Sequence, residues 1–179
     1  AHAERHFDGA DEGLVRNADG TYTIEGPVDG LTLIPPADFS GVVPLEVTAT
    51  TTESENGDTR STTSTVNVNV IAVADAPSVA AAEAHTREDV AVTLEISAEA
   101  LDLDGSEAIV EYIIGDMPAG ASLSAGSEIA PGRWSVSADD IEGIQLIPPA
   151  NSDTDFTLSV TARAAENTNG AVSYTHLTL

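Results

Sequence analysis

Gly30-Leu31-Thr32-Leu33-Ile34-Pro35-Pro36-Ala37 returns 113 residues later as Gly143-Ile144-Gln145-Leu146-Ile147-Pro148-Pro149-Ala150. An ungapped match of this length is not a chance product, and a repeat is the first thing a fold assignment must accommodate. The same offset carries Leu45-Glu46-Val47-Thr48-Ala49 onto Leu158-Ser159-Val160-Thr161-Ala162, and Asn56-Gly57 onto Asn169-Gly170. With one residue of slippage, Gly20-Thr21-Tyr22 falls on Gly132-Arg133-Trp134. The chain of 179 residues is therefore read as two related domains. The first covers 1–77 and closes with a linker at 71–77; the second covers 78–179.

Around these anchors the apolar residues alternate with polar ones, the period of a half-buried strand. Tyr22 and Ile24, then Leu31 and Leu33, make two strands split by the turn Gly26-Pro27-Val28-Asp29-Gly30. Pro35-Pro36 stops the second, because proline cannot donate to a hydrogen-bond ladder. Val43, Leu45, Val47 and Ala49 alternate next, and Asn56-Gly57 marks the hairpin that leads into Val66, Val68 and Val70. Ile71-Ala72-Val73-Ala74-Asp75-Ala76-Pro77 reads as a stiff connection. Ala80-Ala81-Ala82 is the one weak helical hint, and Asp139-Asp140 reads as the cap of a helical turn before Ile141. Short strands with Gly and Pro turns predict all-β sandwiches with Greek-key connections.

Projected outward, the offset predicts that the first copy lacks the strands matching 79–113 and that the second stops short of its last strand. A sandwich without its first strands has open edges, which invite pairing with a neighbouring chain. The first copy is accordingly expected to be incomplete, repaired by its own N-terminal residues, or completed by another chain. No signal-peptide pattern stands at Ala1-His2-Ala3-Glu4-Arg5, and the chain reads as a piece of something longer.

Thirty acidic residues face six basic ones, all arginine, for a net charge of −24. Such a surface repels nucleic acid and anionic membranes. Apolar residues make up 41% of the chain and alternate, which favours folded cores over acidic disorder. Self-repulsion is relieved by divalent cations or by a salty medium, and both suit the outside of a cell. There is no cysteine to staple the fold and no apolar run long enough to span a membrane.

One stretch concentrates the charge. Leu101-Asp102-Leu103-Asp104-Gly105-Ser106-Glu107 places three carboxylates within six residues around a glycine that can turn sharply. Calcium takes six to eight oxygens, and clustered carboxylates raise one another's pKa, so a cation is their natural partner. The other reading is a solvated turn in which each Asp caps its own backbone. The EF-hand pattern is only partly met: with Gly105 at its glycine position, Glu111 closes the loop, but Ala100 stands where an Asp should open it. Residues 109–113 also look like a strand, where an EF-hand needs a helix. Glu53, Glu55 and Asp58, and likewise Glu166, Asn167 and Asn169, read as exposed hairpin tips. Trp134 and Tyr22 occupy matching strand positions and read as core. The four histidines lack zinc-ligand spacing. With no Lys or Cys, and neither HExxH nor GxSxG, enzymatic signatures are missing, and the chain is not expected to be an enzyme.

Asp75-Ala76-Pro77, Glu88-Asp89, the 101–107 stretch, Pro118-Ala119-Gly120-Ala121-Ser122-Leu123 and Leu146-Ile147-Pro148-Pro149-Ala150 together resemble the tandem immunoglobulin-like or cadherin-like repeats of giant RTX-type bacterial adhesins exported by type I secretion. The resemblance implies extracellular β-sandwich modules strung along the cell surface, with calcium stiffening the junctions between adjacent repeats. If strand B spans 90–96, the loop after it lies at the pole where the linker arrives, so Asp75, Asp102, Asp104 and Glu107 can share an ion. Glu88 and Asp89 lie at the other pole and would serve the next junction. The expected function is a calcium-stiffened spacer that projects a distant ligand-binding domain in adhesion and biofilm formation. The alternative is a calcium-dependent module that itself binds a glycan or a protein.

Overall fold

The computed structural model describes residues 6–8, 14–26, 28, 30–102 and 104–178. It is all-β, with antiparallel pairing throughout and one helical turn among the described residues. Two compact units divide after Val70, and residues 71–77 belong to the second.

Unit 1 contains β1 (His6–Asp8), β2 (Leu14–Arg16), β3 (Tyr22–Ile24), β4 (Thr32–Ile34), β5 (Gly41–Thr52) and β6 (Thr59–Val70). They form three separate two-stranded sheets, β1-β4, β2-β3 and β5-β6. The long β5-β6 hairpin pairs residue for residue from Gly41↔Val70 to Thr52↔Thr59. It buries little: Val43 is inside, whereas Val47 and Val66 keep about half their surface in water.

Unit 2 contains β7 (Ser78–Ala81), β8 (Val92–Thr93), β9 (Ile96–Glu99), β10 (Glu107–Gly115), β11 (Ser122–Leu123), β12 (Ser127–Ala130), β13 (Arg133–Ser137), β14 (Gln145–Ile147), β15 (Ser159–Glu166) and β16 (Val172–Thr178). A five-stranded sheet runs β12-β13-β10-β15-β16, and the sheets β11-β14-β8 and β7-β9 complete the unit. Side chains from all three meet in one core, including Leu94, Ile96, Tyr112, Ile114, Leu123, Val136, Leu146 and Val160, an arrangement consistent with a β-sandwich. Trp134 packs against that core.

The run 90–96 is two short strands. Val92 and Leu94 are held to β14 and its approach (Leu94 N–H to Ile144 O, 2.9 Å), while Ile96 begins the strand that pairs with β7. The chain changes sheets there, which alternation cannot reveal. Ala80 and Ala81 are in β7. Ala138–Asp140 is a turn of 3-10 helix capped by the Ser137 hydroxyl. Residues 172–178 pair with β15 along its length, Val172↔Ala165 to Thr178↔Ser159.

The two hairpin turns at the repeated Asn-Gly are built alike. Gly57 N–H donates to Glu53 O and Glu53 N–H to Asp58 O (2.9 and 2.8 Å); 113 residues on, Gly170 N–H donates to Glu166 O and Glu166 N–H to Ala171 O (3.0 and 2.8 Å). Asn56 and Asn169 each accept the N–H two residues ahead, and both glycines take φ near +70°, a conformation other residues resist. After the repeated Pro-Pro-Ala, Asp38 and Asn151 likewise share the left-handed region.

Ile114 is fully buried at the centre of the five-stranded sheet. Ile114→Ala should lower the unfolding free energy of unit 2 by about 3 kcal/mol, whereas Ile129→Ala, at a position 53% exposed, should cost less than about 0.5 kcal/mol. Urea titration followed by Trp134, the chain's sole tryptophan, measures both.

Candidate metal centre

β15 carries its inward side chains at every second residue: Val160, Ala162, Ala164 and then Glu166. The first three are completely buried, and the alternation takes Glu166 inside with them at 4% exposure. The neighbouring β10 turns Tyr112 and Ile114 inward at one end. A bulge between Ile109 and Glu111 switches the parity of the strand, so that Glu107 also points in, 8% exposed. Glu107 and Glu166 are direct partners in the ladder. Two like charges facing each other across a sheet destabilise it.

Neither Oε1 nor Oε2 of Glu107 has a hydrogen-bond partner, nor does Oε2 of Glu166. Buried carboxylate oxygens without partners are costly and uncommon. Burial pushes the Glu107 carboxyl above its ordinary range, and the charges of Glu166, Asp75 and Asp102 push the same way. The backbone N–H of Asp75 faces the carboxylate and opposes the shift, without the geometry of a hydrogen bond to either oxygen.

Three segments are tied together here. Asn169 donates its side-chain N–H to Ala72 O at 2.8 Å, and Asn167 N–H donates to Ser106 O at 2.8 Å. Ala72 and Pro77 are themselves buried. The linker segment, the turn before β10 and the β15-β16 turn therefore share one end of unit 2, where the charges of Asp75 and Asp102 act on Glu107.

The aspartates of the acidic turn are engaged locally. Asp102 Oδ1 accepts the Asp104 N–H (2.9 Å) and its Oδ2 the Ser106 hydroxyl (2.8 Å), while Asp104 Oδ1 accepts the Ser106 N–H (2.8 Å). Both cap their own turn. Among the described residues no three acidic or histidine side chains stand together as a ready ligand set. The two buried glutamates face each other in the ladder, and Asp75 and Asp102 lie near enough to act on Glu107 electrostatically. Glu88 and Asp89 are not brought to this group: they form the turn between β7 and β8, where Asp89 Oδ1 accepts the Asn151 N–H at 2.8 Å.

Glu166, read from sequence as part of an exposed tip, is instead the most deeply buried charge in unit 2. The signal that would have found it is the unbroken inward alternation from Val160, which outranks the turn-like composition of Glu-Asn-Thr-Asn-Gly.

Comparisons with protein-family models, curated proteins and solved structures find no match for this chain. No helix among the described residues is long and apolar enough to cross a membrane.

A carboxyl whose folded pKa is raised binds more protons folded than unfolded, so stability falls as pH rises from the ordinary Glu value through the raised one. In chelator, unit 2 should melt higher at pH 5.5 than at pH 7.5. Glu107→Gln should remove much of this difference and raise stability at pH 7.5 by about 1 kcal/mol, or a few degrees in Tm. Thermal melts of both proteins at the two pH values measure it.

Proposed function

We propose that the chain comprises two tandem immunoglobulin-like, cadherin-like β-sandwich repeats, the first incomplete, acting as a calcium-stiffened extender of a secreted bacterial adhesin at the cell surface. The observation that carries this reading is the buried Glu107–Glu166 pair, three of whose oxygens lack a hydrogen-bond partner, at the end of unit 2 where residues 71–77 are fastened. A cation supplies the positive charge that this pair lacks. Calcium suits it better than magnesium, because calcium accepts six to eight oxygens in irregular geometry whereas magnesium demands a strict octahedron.

Glu107 and Glu166 would hold the ion from inside, with Asp75 contributed by the linker and Asp102 by the turn. Asp104 supports the turn that presents Asp102. An ion bound by residues 71–77 and by β10 and β15 at once favours the state in which that entry segment lies fixed on unit 2, by mass action. The sequence repeat and the duplicated hairpin turns support tandem modules. The resemblance to RTX-type adhesin repeats supplies the extracellular setting and adjacent repeats as partners. The alternative, a glycan-binding module, gains little from the groove of about 450 Å³ beside Met117, Arg133 and Thr161, whose lining contains no Trp, Tyr or Phe.

Calcium at 100 times its Kd should stabilise unit 2 by about 2.7 kcal/mol. Calorimetry should register uptake in the wild type and none in the Glu107→Gln, Glu166→Gln double variant. Small-angle scattering should show a narrower spread of lengths with calcium than with chelator. No heat at millimolar calcium, together with an unchanged Tm, would overturn the proposal.

A further inference from the structure

Residues 71–77 belong to no strand, and two points fasten them to unit 2. Pro77 is fully buried. The carbonyl of Ala72, itself a buried residue, accepts the Asn169 side-chain N–H at 2.8 Å. Between these points Val73 is 75% exposed and Asp75 is exposed as well. The segment is a strap held near its ends, with little apolar burial between them to keep it down.

Asn169 uses both ends of its amide. Its Oδ1 accepts the Ala171 N–H (2.8 Å) and so shapes the β15-β16 turn, while its Nδ2 leaves that turn to reach the strap. In the same turn Asn167 N–H donates to Ser106 O (2.8 Å), so one turn grips the strap and the acidic turn together. Glu166 stands at the start of the gripping turn, and Glu107 directly follows Ser106. The grip works against charge. Asp75 repels the Glu107 carboxylate, and among the described residues neither forms an ion pair with an arginine or a histidine. Without a cation, repulsion favours release of the strap and the Asn169 bond opposes it.

We infer that Asn169 is a positioning residue, a latch that seats the strap on unit 2 before any cation arrives and so presents Asp75 to a site already formed. An ion entering such a site does not have to order its own ligand, and binds more tightly for that reason. Asn169 acts through the strap and is not itself a ligand. The seating of the strap is independent of calcium, whereas the gain in affinity rests on the calcium reading above.

Two variants of the full chain separate the latch from the turn. Asn169→Asp can still accept the Ala171 N–H but cannot donate to Ala72 O; Asn169→Ala adds no charge. In chelator, elastase cleavage within 71–76, located by mass spectrometry, should be slow in the wild type and about tenfold faster in both variants, because proteolysis follows the population of the opened strap. In calorimetry with calcium, Asn169→Ala should weaken Kd by about fivefold to tenfold. In an Asp75→Asn background the same substitution should change Kd by less than about twofold, since the strap then delivers no carboxylate. Cleavage that is equally slow in the variants, or equally fast in the wild type, would overturn the latch. An equal loss of affinity with and without the Asp75 carboxylate would overturn its action through the strap. If the wild type takes up no calcium while the cleavage contrast holds, the calcium reading fails and the latch is upheld.

Discussion

The ladder between β10 and β15 is the constraint from which unit 2 follows. Its eight registered pairs run from Glu107↔Glu166 to Gly115↔Ser159. Along it, Tyr112 and Ile114 meet Ala162 and Val160, large residues against small ones, which lets the sheet lie close to the layer carrying Leu94, Ile96 and Leu146. At the other end of the same ladder, beyond the bulge after Ile109, two carboxylates are turned inward. A strand cannot rotate one residue out of a buried face without moving the rest. The core therefore holds the acid pair in place, and the acid pair works against the core until its charge is compensated.

This coupling explains why the acidic turn itself contributes less than its composition promises. Asp102 and Asp104 spend their oxygens on Ser106 and on the turn's own amides. They make the turn rigid and place a half-buried charge near Glu107 without converging on it. The uncompensated charge lies one layer deeper, where water cannot screen it. In a chain with thirty acids and six arginines, most carboxylates are solvated and cheap; the two inside are the ones whose state matters.

Much of the architecture was legible because it rests on local chemistry. Asn56-Gly57 and Asn169-Gly170 set their hairpins, the two Pro-Pro pairs stop β4 and β14, and Asp139-Asp140 sits in a capped helical turn. What escaped reading depends on neighbours. The 90–96 run divides because its two halves serve different sheets, and the bulge after Ile109 reverses which residues of β10 face inward. That bulge, invisible in the alternation, is what pairs Glu107 with Glu166. The electrostatic pressure of Asp75 and Asp102 on Glu107 depends on which loops share one end of the unit, a matter of topology more than of residues.

The contrast between the two units extends this point to the charge. Glu53 corresponds to Glu166 and sits at the same position of the same turn, yet it is exposed, and among the described residues no strand pairs with β5 on its other side. In unit 2 the strand that lies beside Val160 and Ala162 is also the one that sets Glu107 opposite Glu166, so the pairing that completes the sheet buries two like charges in the same step. In this sheet, closing the fold and creating a demand for positive charge are the same event.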